Sequence, residues 1–148
     1  MGVRAVLVGG FHGTWVPRDA LDAPLSIEGL APLGASPGAG LLSVLGTGEC
    51  GLRTTARIVD YLAEQSARQC GPCMFGLPEL ARMLAELANG TRRQKLPARL
   101  RALAGDITGR GSCHHPDGTA RLVSSALSVF RDDVHAHLSG RCLSSRRR

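Results

Sequence analysis

The sequence predicts an α+β chain in which a short β segment leads into a small antiparallel four-helix bundle. Three observations carry this. Val3 to Val8 is a compact apolar run stopped by Gly9 and Gly10, the mark of a buried strand ended by a turn. From Leu52 onward, apolar residues recur at helical spacing almost to the C-terminus. Of 148 residues, 43% are hydrophobic but only 3% are aromatic, so the core must be built from Leu, Val and Ala. That composition suits small helices better than a large sheet.

After the first strand, the stretch to Gly40 is rich in Gly and Pro and has little periodicity. It reads as loop with one short helical turn near Ile27 to Leu30. Gly40 to Leu45 (GLLSVL) is a second strand candidate. Leu52, Ile58, Val59, Leu62 and Ala63 then fall on one helical face, so Arg53 to Ser66 is read as an amphipathic helix. Gly71 and Pro72 in the segment QCGPC interrupt helical geometry. A second helix runs from Pro78 to Ala88 with Leu80, Met83, Leu84 and Leu87 as its stripe, and Asn89-Gly90 ends it. Pro97 to Ala104 is a short third helix with Gly105 as its stop. Asp117 is the N-cap candidate of the last helix. Leu122, Val123, Ala126, Leu127, Phe130, Val134 and Leu138 form that helix's continuous apolar face, and Gly140 takes its C-terminal cap position.

No apolar run approaches the ~20 residues that span a bilayer, and the first ten residues lack a signal-peptide cleavage pattern. A cytoplasmic protein is the expectation. The formal net charge of +6 does not by itself imply a nucleic-acid partner, because stacking aromatics and a reading motif are both missing. Part of the excess sits in Arg146, Arg147 and Arg148, read as a solvated, disordered tail.

The five cysteines are Cys50, Cys70, Cys73, Cys113 and Cys142. An odd count in a cytoplasmic chain argues against a disulfide framework. Cys70 and Cys73 lie between the first and second helices, and Cys113 lies in the loop before the last. In an up-down bundle those connections can share one end, so three thiols can converge. Thiolates there suit a soft metal or an iron–sulfur cluster; a reactive or simply buried cysteine pair is the other reading of C-x-x-C. His114 and His115 follow Cys113, and either could complete a four-ligand set or remain an exposed loop residue. A last helix of some twenty residues rises about 30 Å, which carries Cys142 to the far end. Cys50, preceding the first helix, belongs at that far end too. Neither is assigned a role.

The chain resembles the C-terminal part of the NADH-binding flavoprotein subunit of respiratory complex I and of related hydrogenase and formate dehydrogenase subunits. The motifs run in the family's order: AVLVGG, Asp22-Ala23-Pro24, PGAGLLSV, ARIVDYLAEQS, ARQCGPC, GRGSC and SALSVFRDDVHAH. The resemblance implies an incomplete β-grasp (SLBB-like) segment over residues 1–48, an iron–sulfur-binding helical bundle over 49–140 and a basic tail over 141–148. It implies a 4Fe-4S cluster with Cys70, Cys73 and Cys113 as ligands. The family's first cluster cysteine is Ala67 here, so a fourth ligand comes from His114, His115, water or a partner, with His114 the first candidate, or the cluster is altered or lost.

The family's flavin domain has no counterpart, and no phosphate-cradling glycine loop lies between a strand and a helix. FMN and NAD are therefore not expected on this chain, nor is catalysis by the chain alone. Electrons would come from a flavin/NADH-binding subunit or a missing N-terminal domain and leave to a ferredoxin-like acceptor. Only two β-grasp strands are anticipated, and their open edges would need a partner or burial. Two alternatives stand beside this electron-transfer reading. One is a structural zinc module with Cys70, Cys73, Cys113 and His114 as ligands. The other is a metal-free interaction remnant.

Overall fold

The computed structural model describes residues 2–144. Half of the anticipated basic tail over 141–148 lies outside the described residues: Arg146, Arg147 and Arg148 are not among them. Three strands form one antiparallel sheet: β1 (Val3–Val8), β2 (Thr14–Pro17) and β3 (Leu42–Gly46), in the order β2-β1-β3. β1 is central because it is the most apolar strand; Ala5 and Leu7 are fully buried on one face. β2 is the first correction, since its residues read as loop. It pairs through Leu7↔Trp15 and Val6↔Val16, and its Trp15 and Val16 are both buried. A four-residue strand that follows a glycine-rich turn carries too little alternation to stand out; only its partner defines it. Gly13 makes the hairpin possible, because any Cβ there would collide with the Val8 carbonyl.

The long loop contains the short helix α1 (Ile27–Leu30), capped by Ser26 Oγ accepting from the Gly29 N–H. The helical part follows as α2 (Gly51–Glu64), α3 (Leu77–Asn89), α4 (Leu96–Ile107), α5 (His115–Val129) and α6 (Arg131–His137). α2 packs on α3 and α5, and α4 packs on α3 and α5. The larger of two hydrophobic clusters joins them to the sheet, running from Leu7 and Trp15 through Leu52, Leu80 and Leu100 to Leu127 and Phe130, and Val8, Val16, Leu30 and Ala35 form the smaller.

Four helix boundaries depart from expectation. Pro72 starts a helical turn instead of only breaking one: Pro72–Gly76 forms a π-helical turn that runs directly into α3. Proline is tolerated there because a first-turn N–H has no helical partner. α4 continues through Gly105 to Ile107, where Ile107 is buried against the core; burial outweighs the roughly 1 kcal/mol glycine penalty. α5 begins at His115 with His114 as its N-cap, so Asp117 lies inside the first turn and accepts from the Gly109 N–H at 2.8 Å instead. The last helix is two helices. Phe130, 1% exposed, leaves helical geometry at φ −101°, ψ 37°, and its ring packs edge-on against Trp15 and over Gly51.

β2 is protected as an edge strand by α5, whose Ser125 Oγ accepts from the Trp15 N–H at 3.1 Å. β3 forms the other edge, with Leu42 and Val44 more than half exposed. Arg4 on β1 reaches across to the buried Asp133 on α6 and to the Glu49 carbonyl, which ties the sheet to the start of α2.

Candidate metal centre

The loop leaving α2 turns at Arg68, the one non-glycine residue with positive φ (54°) among the described residues. This strained turn delivers Cys70, and the π-helical turn then delivers Cys73. The Met74 N–H donates to the Cys70 carbonyl at 2.9 Å, closing the C-x-x-C segment into a helical turn. Such strain and π-turns concentrate at functional sites. The loop after α4 brings Ser112 and Cys113 against the same turn.

The thiols are neighbours electrostatically. The backbone N–H groups of Cys73 and Ser112 favour the thiolate of Cys70 and hold its thiol below its ordinary range. Burial pushes Cys73 up to about 11, and the Cys70 and Cys113 thiols add to that rise. The Arg68 backbone N–H acts the other way on Cys73. Cys73 is buried, Cys70 half-buried and Cys113 exposed, so the group lies at the surface of one end of the molecule. Ala67 sits exposed in the same loop.

The two histidine candidates separate. His115 Nε2 is 2.8 Å from the Leu62 carbonyl, and its ring stacks edge-on against His12. It is committed to joining α5 to α2. His114 is fully exposed and its Nδ1 lies 3.4 Å from Asp117; it shares the Cys113 loop, and its Nε2 faces solvent.

Cys50 and Cys142 are indeed at the opposite end, but they are not isolated. The ligand atoms of Cys50, His137 and Cys142 all lie within 4.8 Å of one another. His137 is a residue that the sequence reading misses, although H-A-H followed by a cysteine is a legible cue. Among the described residues, the Cys70, Cys73 and Cys113 sulfurs do not share that single-ion spacing. Thiolates that each bind a different iron of a cluster stand further apart than thiolates on one ion.

Comparison with known proteins gives a consistent picture. The family described as NADH-ubiquinone oxidoreductase-F iron-sulfur binding region matches residues 53–137. The chain is 29% identical over 133 residues to a subunit of the NADH-quinone oxidoreductase of Streptomyces coelicolor, covering 90% of the chain and 30% of that protein. It is 27% identical over 139 residues to the corresponding NADH-quinone oxidoreductase subunit of Rhizobium meliloti, covering 94% of the chain and 33% of the relative. The chain thus spans about a third of the length of these relatives. Its fold is similar to part of an NAD+-reducing NiFe hydrogenase in the H2-reduced state, with a TM-score of 0.80 at 23% identity over 92% of this chain and 23% of that one. No helix among the described residues is long and apolar enough to cross a membrane.

Proposed function

Since the chain belongs to the NADH-ubiquinone oxidoreductase-F iron-sulfur binding family, matched over more than half of its length, we propose that it is an iron–sulfur electron-transfer module of an NADH dehydrogenase-like complex. The observation that supports the reading is that the loop carrying Cys113 lies beside the turn carrying Cys70 and Cys73 at one end of the helices, close enough for the Cys70 and Cys113 thiols to raise Cys73. In this reading residues 1–48 are a partial SLBB-like β-grasp, 49–140 the cluster-binding bundle built on α2 to α5, and 141–148 a basic tail.

The three thiolates would hold a 4Fe-4S cluster, with His114, solvent or a partner residue as fourth ligand. A bound cluster supplies a one-electron site, its potential set by charge, burial and hydrogen bonds to sulfur. The chain's own contribution is the rigid π-turn, the N–H groups of Arg68, Cys73 and Ser112, and the half-buried position near the surface that permits electron exchange. The donor would be a flavin/NADH-binding domain or subunit, and the acceptor a ferredoxin-like protein. A Cys3His zinc module is favoured less, because the three sulfurs are not gathered at single-ion spacing and His114 faces solvent.

The test is anaerobic reconstitution of the purified chain, reading iron and acid-labile sulfide. Serine at Cys70, Cys73 or Cys113 should abolish or strongly reduce loading, Cys142→Ser should leave it nearly unchanged, and His114→Ala should cause an intermediate loss. Ala67→Cys, at an exposed position of the same loop, should raise cluster occupancy. Colourless zinc would favour the zinc module, and neither metal the interaction remnant. Iron loading that depends on Cys142 but not on Cys113 would overturn the assignment.

A further inference from the structure

We propose that Cys50, His137 and Cys142 form a second, independent metal site for a zinc-class divalent cation at the opposite end of the molecule. Each donor reaches the spot through a separate device. Cys50 is the residue before α2 and is 7% exposed. His137 is the last residue of α6 and is 1% exposed. Cys142 returns over the end of α6 because Gly140, at φ 70°, reverses the chain; the Arg141 N–H bonds back to the Ala136 carbonyl at 2.9 Å and the Gly140 N–H to that of His137 at 3.0 Å. This left-handed glycine cap is what aims Cys142 inward.

The histidine is set up as a ligand. Its Nδ1 lies 3.1 Å from the Leu87 carbonyl, which can only accept, so Nδ1 carries the proton. Nε2 is left with its lone pair directed at Cys50 Sγ, 3.4 Å away. A backbone carbonyl fixing the far nitrogen is the usual support behind a metal-bound histidine. The spacing fits as well: zinc bonds of about 2.3 Å to sulfur and about 2.0–2.1 Å to nitrogen put tetrahedral sulfur and nitrogen ligands roughly 3.6 Å apart. Two thiolates and an imidazole make a neutral centre with a divalent cation. That suits a spot where the nearby Arg4 and Asp133 already neutralise each other.

Three protein donors leave a fourth position. Cys142 and Ser144 line a surface cleft of about 640 Å³ together with Arg53 and Arg57, so that position opens onto solvent, and the Ser144 hydroxyl is 3.3 Å from Cys142 Sγ. Zinc binding releases the Cys50 and Cys142 thiol protons and clamps the start of α2 to the end of α6. The site then couples metal to folding at the end of the molecule remote from Cys70, Cys73 and Cys113.

The test uses the full chain carrying Cys70→Ser, Cys73→Ser and Cys113→Ser, reduced and titrated with Co2+. Because the first thiol group is removed, the outcome does not depend on the iron–sulfur reading. Saturation at about one cobalt per chain is expected, with thiolate-to-cobalt charge-transfer bands, tetrahedral d–d absorption and displacement by Zn2+. Adding Cys50→Ser or Cys142→Ser should abolish the charge-transfer signal of that sulfur, and His137→Gln should weaken binding at least tenfold, with helical circular dichroism as the folding control. Should the triple variant not fold, zinc content of the iron-reconstituted chain, with and without Cys142→Ser, reads the same site. Absent stoichiometric binding, binding indifferent to Cys50→Ser and Cys142→Ser, or a Cys50–Cys142 disulfide in place of metal would each overturn the proposal.

Discussion

Arg4 is the residue through which the sheet grips the helices, and Arg4→Met measures that grip. Its guanidinium pairs with the fully buried carboxylate of Asp133, donates to the Glu49 carbonyl at 3.0 Å, and sits 5.5 Å from the centre of the Phe130 ring. Asp133 Oδ1 has no hydrogen-bond partner among the described residues, so Arg4 is the charge that makes burial of Asp133 tolerable. Methionine keeps the length and apolar stem of the side chain but strands the carboxylate. Leaving one member of a buried pair uncompensated costs about 3–5 kcal/mol, and the lost contact with Phe130 adds on the order of 0.5–1 kcal/mol. A domain of this size has roughly 5–15 kcal/mol in all, so about 4 kcal/mol should lower Tm by roughly 10 °C. Urea unfolding of Arg4→Met, Asp133→Leu and the double variant gives the cycle. Recovery of at least half the loss in the double variant is expected, because no charge is then buried alone. A single-variant cost below about 1 kcal/mol, or strictly additive losses, would show that the pair is not coupled and refute the reasoning.

Other outcomes follow from individual contacts. Gly76→Ala places a Cβ 2.5 Å from Ile107 Cγ2, so it should cost about 1–3 kcal/mol in thermal melts; a neutral Gly76→Ala would mean that the π-turn can shift freely. Burial, with His115 and Arg121 adding to it, holds His12 below its ordinary value of 6.5. The unfolded chain therefore binds that proton first, and stability present above about pH 6.5 is lost as pH falls through the lower folded value; His12→Phe should flatten this limb, and an unchanged pH profile would contradict it. In the metal-free chain, Cys70, lowered by backbone N–H groups and half-buried, should be alkylated by iodoacetamide well before Cys73, raised to about 11 and buried. Equal rates by peptide mass mapping would argue against the described turn.

Local sequence determines the strongly periodic elements. The stripe of Leu80, Met83, Leu84 and Leu87 places α3 with boundaries off by a residue, and Leu52 through Ala63 places α2. The apolar run of β1 is legible too, and so is the order of the helices, whose connectivity puts the connection carrying Cys70 and Cys73 at the same end as the one carrying Cys113. What sequence leaves open is whatever depends on contacts between distant segments. β2 exists because β1 and Ser125 supply its hydrogen bonds. The last helix breaks at Phe130 because Trp15 and Gly51 offer its ring a buried place, and neither Pro nor Gly marks the break. His115 reads as a possible ligand until the Leu62 carbonyl claims it. Helix lengths put Cys50 and Cys142 at the same remote end, yet only the reversal at Gly140 brings Cys142 back to Cys50. Only the carbonyl of Leu87, on another helix, turns His137 Nε2 toward them. Helical period is a property of neighbouring residues, whereas the direction of a thiol or a ring nitrogen is fixed by packing between residues far apart in the chain.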